Sequence, residues 1–494
     1  MLVLAGTAAQ VWAQAQSRPR EEPAWQAFFA AAGPDRRQAE AALAEIGARW
    51  QDGYTAMIVD LARFLPSPRG HRVPDGFPSF IVGPGDDERG DPRMGRGSDF
   101  PAVMRQSPGA DLRRRLTSFL AKQTGKRFGD DLRAWRRWMW SLPESPHSEY
   151  AVFKAELYAR IDPKFRQFFR PGTRTSIRLD EIDWGGVPVN GIPPLRMPTH
   201  LPGSEATWLR DSHIVFGVEV DGKARAYPKR ILAWHEMAID RVGGVDLTVV
   251  YCTLCGTVIP YESGTGSRQF TFGTSGLLYR SNKLMFDEET SSLWSAIEGV
   301  PVVGPLVGSG LQLRFHSAIT TTWGEWKRDF PATTVLSIET GHERNYAEGA
   351  AYREYFGTDR LMFEVPGIDS RLKNKAEVLV LRPGTLAPGS FPVALAVERL
   401  RREPVFNFEA GGRALVVITS RGGGNRVYER GPHEFTSAGR GGVAQEVRDR
   451  MGGRWTVTPK ALVSGSGQRL AALPTHRAFW FGWIAQHPDT VLFR

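Results

Sequence analysis

The sequence predicts an α+β protein: a helical, HEAT- or armadillo-like part over residues 21–170, then a larger β-rich part with few helices over residues 175–494. Apolar residues recur at helical spacing up to Phe169, and from Pro171 onward Gly, Pro and alternating apolar residues replace them. Residues 214–220 and 224–227 are alternating runs separated by Asp221-Gly222, a strong hairpin signal. Strands and helices do not alternate regularly after Pro171, which favours α+β over a parallel α/β sheet.

Taken in order, residues 1–15 are apolar and small and end in Val11-Trp12-Ala13 and Ala13-Gln14-Ala15, the small-x-small form of a cleavage site. They read as a signal peptide, although a basic stretch before it is missing and the true start is expected upstream. The expected location is periplasmic or secreted. No later run approaches the roughly 20 apolar residues of a membrane span, so no transmembrane segment is expected. Trp25, Phe28 and Phe29, then Ala39, Leu43 and Ile46, then Ala56, Val59, Leu61 and Phe64 mark short helices, broken at Gly33-Pro34-Asp35 and Gln51-Asp52-Gly53. Residues 69–108, rich in Gly, Pro, Asp and Arg, read as an irregular connection. Helical spacing returns at 112–120, 132–142 and 150–169, with Trp135, Trp138 and Trp140 expected in the core. Further strands are expected at 246–251, 257–261, 269–272, 284–286, 377–381, 414–419 and 427–429, and helices at 322–330, 350–356 and 476–486.

The 494 residues, 41% of them hydrophobic, suffice for more than one core. The net charge of +10 is dispersed, as in Arg113-Arg114-Arg115 and Arg401-Arg402, without a basic arm. Nucleic acid is therefore not the expected partner. A protein partner, if there is one, would use the helical segment.

Both cysteines of the chain stand in Tyr251-Cys252-Thr253-Leu254-Cys255-Gly256. One pair closing so short a loop adds little stability, which makes a functional pair the better reading. Strand, Cys-x-x-Cys-Gly, strand is the form of a metal knuckle: the turn converges two thiolates, and Gly256 accepts the positive φ that lets N–H groups approach sulfur. A thioredoxin-type site would begin a helix at its first cysteine, and Thr257-Val258-Ile259-Pro260 opposes a helix. With no second cysteine pair, further ligands must be histidine, carboxylate or methionine. His235, in Trp234-His235-Glu236, is the nearest candidate, which gives Cys252, Cys255 and His235 as the expected ligands of copper(I) or zinc. His316, His476 and Asp287 are further candidates, and Tyr251, Ser275, Tyr279 and Asp287 are expected behind the ligands.

Residues 272–279 read as a glycine-bracketed turn. They lack the lysine of a P-loop and the spacing of a nucleophile elbow. No spacing among the ten histidines supports a hydrolase triad.

The order of blocks from Asp180 resembles a bacterial and archaeal domain of unknown function, the one numbered thirty-one seventy-nine. The carrying residues are Asp180-Glu181-Ile182, Trp184-Gly185-Gly186-Val187, Gly191-Ile192-Pro193-Pro194, Arg225-Ala226-Tyr227-Pro228, Trp234-His235-Glu236 and the cysteine knuckle. Phe272 to Tyr279, Ser292 to Ser295, Thr321-Thr322-Trp323 and Phe479-Trp480-Phe481 extend it over about 175–494. The family usually has proline where this chain has Thr253. The resemblance implies an exported protein with a shared site near the knuckle and no established reaction; residues 124–140 look like an accompanying HEAT-type unit. Three functional expectations stand: transition-metal binding, a thiol–disulfide enzyme or redox partner in which Cys252 and Cys255 cycle, and a scaffold that binds protein through its helices.

Overall fold

A computed structural model describes residues 25–64, 108–143, 145–438 and 446–494. The expected signal peptide lies outside the described residues, as does almost all of the irregular connection.

Among the described residues the N-terminal part holds six α-helices: Trp25–Ala31, Arg36–Ala48, Thr55–Phe64, Pro108–Thr124, Leu132–Trp140 and Tyr150–Tyr158. Two begin at aspartates whose carboxylates accept exposed backbone N–H groups, Asp35 from Gln38 and Asp131 from Arg133 and Ala134. Their apolar faces meet around Phe28, Ile58, Leu116, Trp135 and Phe153, and the three expected tryptophans take part. The HEAT or armadillo pattern is not confirmed. The same core runs on into Ile182, Trp184, Leu277, Phe286 and Leu293 of the first sheet. Helices and sheet are also joined by charge: Asp183 accepts from Arg63 at 2.5 Å and Arg136 at 2.6 Å. Burial opposes the ionised carboxylate, but the two guanidinium groups hold Asp183 at about 2.

The C-terminal part is β-rich. The first sheet is antiparallel, in the order Ile182–Trp184, Phe272–Tyr279, Asn282–Asp287, Leu293–Ser295, Pro301–Val303. Beside it lies a meander of Met237–Val242, Val245–Cys252 and Thr257–Glu262, to which Leu195–Arg196 adds in parallel. The expected hairpin is present as Ile214–Val220 and Lys223–Pro228, and both turn residues take positive φ, 46° at Asp221 and 78° at Gly222. A four-stranded sheet contains His476–Phe479 and Glu377–Leu381. An eight-stranded sheet runs from Val405–Ala410 to Phe435–Ser437. Its two end strands come back together where the Asn407 side chain bonds both the N–H and the C=O of Phe435, which makes it barrel-like.

Three local expectations are corrected. Residues 272–279 form a strand, because the glycines sit at a bulge between Thr274 and Leu277 and let the ladder continue on both sides. Gly276 has φ 76°, and a Cβ there would stand 2.5 Å from the Val187 carbonyl. Residues 269–272 divide between the two-residue strand Arg268–Gln269 and the start of that longer strand. Residues 476–486 begin as the strand His476–Phe479, paired with Glu377–Leu381, before the helix Trp480–Ile484.

Candidate functional site

The site is organised by the end of one short helix. Lys229–His235 stops at Glu236, which takes φ 54° and ψ −1°, a left-handed conformation that costs a glutamate about 1 kcal/mol or more. Its N–H donates to the Leu232 carbonyl at 2.7 Å and its carbonyl accepts from Tyr251 N–H at 2.8 Å. The reversal sends neighbouring side chains to different destinations. The His235 ring lies between the Pro193 carbonyl (2.9 Å from Nδ1) and the Tyr346 hydroxyl (2.5 Å from Nε2), with the His342 ring 5.1 Å away. Glu236 turns toward the cysteine strand, where its carboxylate accepts from Thr253 Oγ1 at 2.5 Å, from the Tyr352 hydroxyl at 3.1 Å and from Lys283 Nζ. Glu236 and Lys283 are both buried.

The cysteine turn is as compact as its spacing requires. Cys255 N–H donates to the Cys252 carbonyl at 3.2 Å, and Gly256 takes φ 62°. Both cysteines are free thiols, and both are buried. They lie in an apolar cluster with Leu254, Tyr355, Phe363, Phe479 and Phe481. Two glycines make this close cover feasible. A Cβ on Gly256 would stand 3.0 Å from the Phe479 ring, and one on Gly482 would stand 3.1 Å from Cys255 Sγ.

The two thiols are electrostatically unequal. Burial pushes Cys252 up, but the hydrogen bond from Cys255 and the backbone N–H groups of Lys283 and Cys255 outweigh it, so Cys252 lies below the ordinary thiol range; Glu236 opposes this. Cys255 is pushed well above that range by burial first and then by its bond to Cys252. It stands 3.0 Å from the Ser281 carbonyl as well. The pair is therefore unequal, with Cys252 drawn toward the thiolate and Cys255 toward the thiol.

The remaining sequence candidates are dispersed. His235 is not brought to the sulfurs, since both its ring nitrogens are engaged elsewhere. Burial lowers it to about 4, so it is neutral at pH 7. His316 bonds Glu262 at 3.0 Å, and His476 bonds the Arg477 carbonyl at 3.1 Å. Asp287 caps its own turn at Thr290 N–H (2.6 Å) and accepts from Trp294 Nε1 at 2.8 Å. The Ser275 hydroxyl donates to the Leu284 carbonyl at 2.5 Å; Tyr251 packs on Phe216 with ring centroids 4.9 Å apart. Tyr279 pairs with Ile182 across the first sheet. Among the described residues, no group of three His, Cys, Asp or Glu is arranged to hold a metal ion. No described helix is long and apolar enough to cross a membrane.

The residues that do surround the cysteines were hidden in the sequence. Glu236 stands beside the histidine that drew attention, and its left-handed backbone, the feature that aims it, has no signature in residue type. Lys283 and Tyr352 arrive from distant segments, 47 and 116 residues from Glu236 in the chain. No curated protein and no solved structure matches the chain. The family described as a protein of unknown function (DUF3179) matches residues 189–490, more than half of the chain and all of the cysteine site, and the protein belongs to that family.

Proposed function

We propose that Cys252 and Cys255 are a thiol–disulfide redox pair, making the protein an oxidoreductase or the redox partner of one. The observation that supports this is the pair itself: two free, buried thiols on one turn closed by Cys255 N–H to the Cys252 carbonyl at 3.2 Å, with Cys252 drawn toward the thiolate and Cys255 toward the thiol. That is the arrangement in which one sulfur attacks and the other resolves a mixed disulfide. The neighbouring Glu236–Lys283 pair supplies a buried polar route beside otherwise apolar sulfurs. An oxidising, periplasmic or secreted setting, expected from the N-terminal residues, suits such a pair.

Capture of copper(I) or zinc is the second reading, and the convergence of two sulfurs supports it. It requires donors other than His235, whose nitrogens would have to leave the Pro193 carbonyl and the Tyr346 hydroxyl. One sample separates the two readings. Untagged protein is alkylated in denaturant before and after reductant, and its metal content is measured alongside. The redox reading expects two thiols to be lost on oxidation and regained on reduction, and Cys252→Ser to keep one thiol throughout. Two thiols counted in every redox state, with stoichiometric metal that Cys252→Ser abolishes, would replace it with the metal reading.

A further inference from the structure

The cysteines are covered by Tyr355, Phe363 and Phe479, so neither sulfur is presented where a loop of another protein could seat. Their surroundings are approached instead through two adjoining cavities. The outer one, about 290 Å³, is walled by Trp234, Tyr352, Arg344 and Arg353. The inner one, about 30 Å³, is walled by Glu236, Lys283, Leu254 and Met362. Val187, Ile192 and Tyr352 border both, so the cavities are in line. The blocks singled out in the sequence converge here: 184–187, 191–194, 234–236, the cysteine turn and 272–279 all contribute to these walls.

The chemistry changes along this cleft. At its mouth the Trp234 indole is fixed by a bond to the Asn345 carbonyl at 2.8 Å and offers an apolar face. Two guanidinium groups, Arg344 and Arg353, stand there against one carboxylate, Glu354. Among the described residues the Arg344 side chain bonds a backbone carbonyl, that of Glu343, and no carboxylate. The mouth therefore favours an anion. At the inner end neither cysteine lines the cavity, but Leu254 between them does, and the charged side chain met beside it is that of Lys283, whose ammonium bonds Glu236. Its long flexible side chain can turn aside, which a β-strand backbone cannot.

We infer that this cleft binds a short thiol or disulfide carrying carboxylate groups, and that such a small molecule, not a protein, exchanges with Cys252 and Cys255; the inference rests on the redox reading above. In the oxidising direction the Cys252 thiolate attacks one sulfur of the bound disulfide, whose S–S bond breaks, and a thiolate leaves. Cys255 then gives up its proton and attacks the Cys252 sulfur of the mixed disulfide, releasing the second thiolate. The net reaction converts one protein dithiol and one small disulfide into one protein disulfide and two small thiols, with protons and electrons balanced.

The test compares three short disulfides of like length: dithiodipropionate (anionic), hydroxyethyl disulfide (neutral) and cystamine (cationic). The rate of thiol loss is measured for folded wild type and for Arg344→Ala/Arg353→Ala, each divided by the rate for the urea-unfolded chain. The expected result is a preference of about tenfold or more for the anionic over the cationic disulfide, which the double variant and high salt both remove. Equal normalised rates, or a preference that the double variant keeps, would overturn the inference. If an oxidised dithiol protein converts the pair and none of the three small disulfides does, the cleft assignment fails and the redox reading stands. If neither protein nor small disulfides oxidise the folded chain, the redox reading itself fails.

Discussion

Lys283 holds Glu236 with its ammonium while its backbone N–H favours the Cys252 thiolate, so one residue joins the buried acid to the cysteine pair. The ion pair is shielded from water, and its two members depend on each other. The cysteine in turn feels both: the N–H stabilises its thiolate and the carboxylate opposes it.

Glu236→Gln therefore has two separable effects. Leaving the Lys283 ammonium unpaired costs about 3–5 kcal/mol of stability, and adding Lys283→Met to the variant recovers much of that loss. Removing the carboxylate also lets Cys252 ionise at lower pH. Urea denaturation of the single and double variants reads the first effect, and thiolate ultraviolet absorbance against pH reads the second.

His235 predicts a pH dependence of folding. Its ordinary value of 6.5 is lowered to about 4 by burial, so the unfolded chain binds the extra proton between those values. Stability is then fully present above pH 6.5 and falls as pH drops toward 4, by up to about 3 kcal/mol. His235→Gln should flatten that slope by about one proton, as read by denaturation at several pH values.

How much of this was legible in the sequence depended on whether the signal was local. The Asp221-Gly222 hairpin, the strand entering Cys252 and the positive φ of Gly256 follow from residues within one turn, and they are present. Residues 272–279 misled because Gly273 and Gly276 are turn residues locally, whereas the ladder across a bulge is decided by Asn282–Asp287 and Ile182–Trp184. His476–Phe479 has helical apolar spacing and becomes a strand because Glu377–Leu381 pairs with it. At the site, spacing located the cysteines and proximity in sequence singled out His235. The left-handed Glu236 sends that histidine elsewhere and puts the acid in its place, a consequence of one backbone angle that residue types do not display.

Asp183 predicts the coupling between the helical part and the first sheet. Asp183→Asn leaves Arg63 and Arg136 short of a buried counter-charge and should cost about 3–5 kcal/mol. In the wild type the lowered carboxyl contributes about 2 kcal/mol, present above pH 3.8 and lost as pH falls through about 2. Hydrogen exchange should rise first in Thr55–Phe64 and Leu132–Trp140, and less in Val245–Cys252. Uniform loosening of all three would contradict a shared core anchored at that carboxylate.

The most direct test of the redox assignment is the reduction potential of the Cys252–Cys255 pair, from thiol counts by mass spectrometry across graded thiol–disulfide buffers. The assignment predicts a single reversible two-electron transition at a potential less negative than about −300 mV, absent in Cys252→Ser. Two thiols persisting in the most oxidising buffer, or a disulfide reduced only at more negative potentials than that, would contradict it.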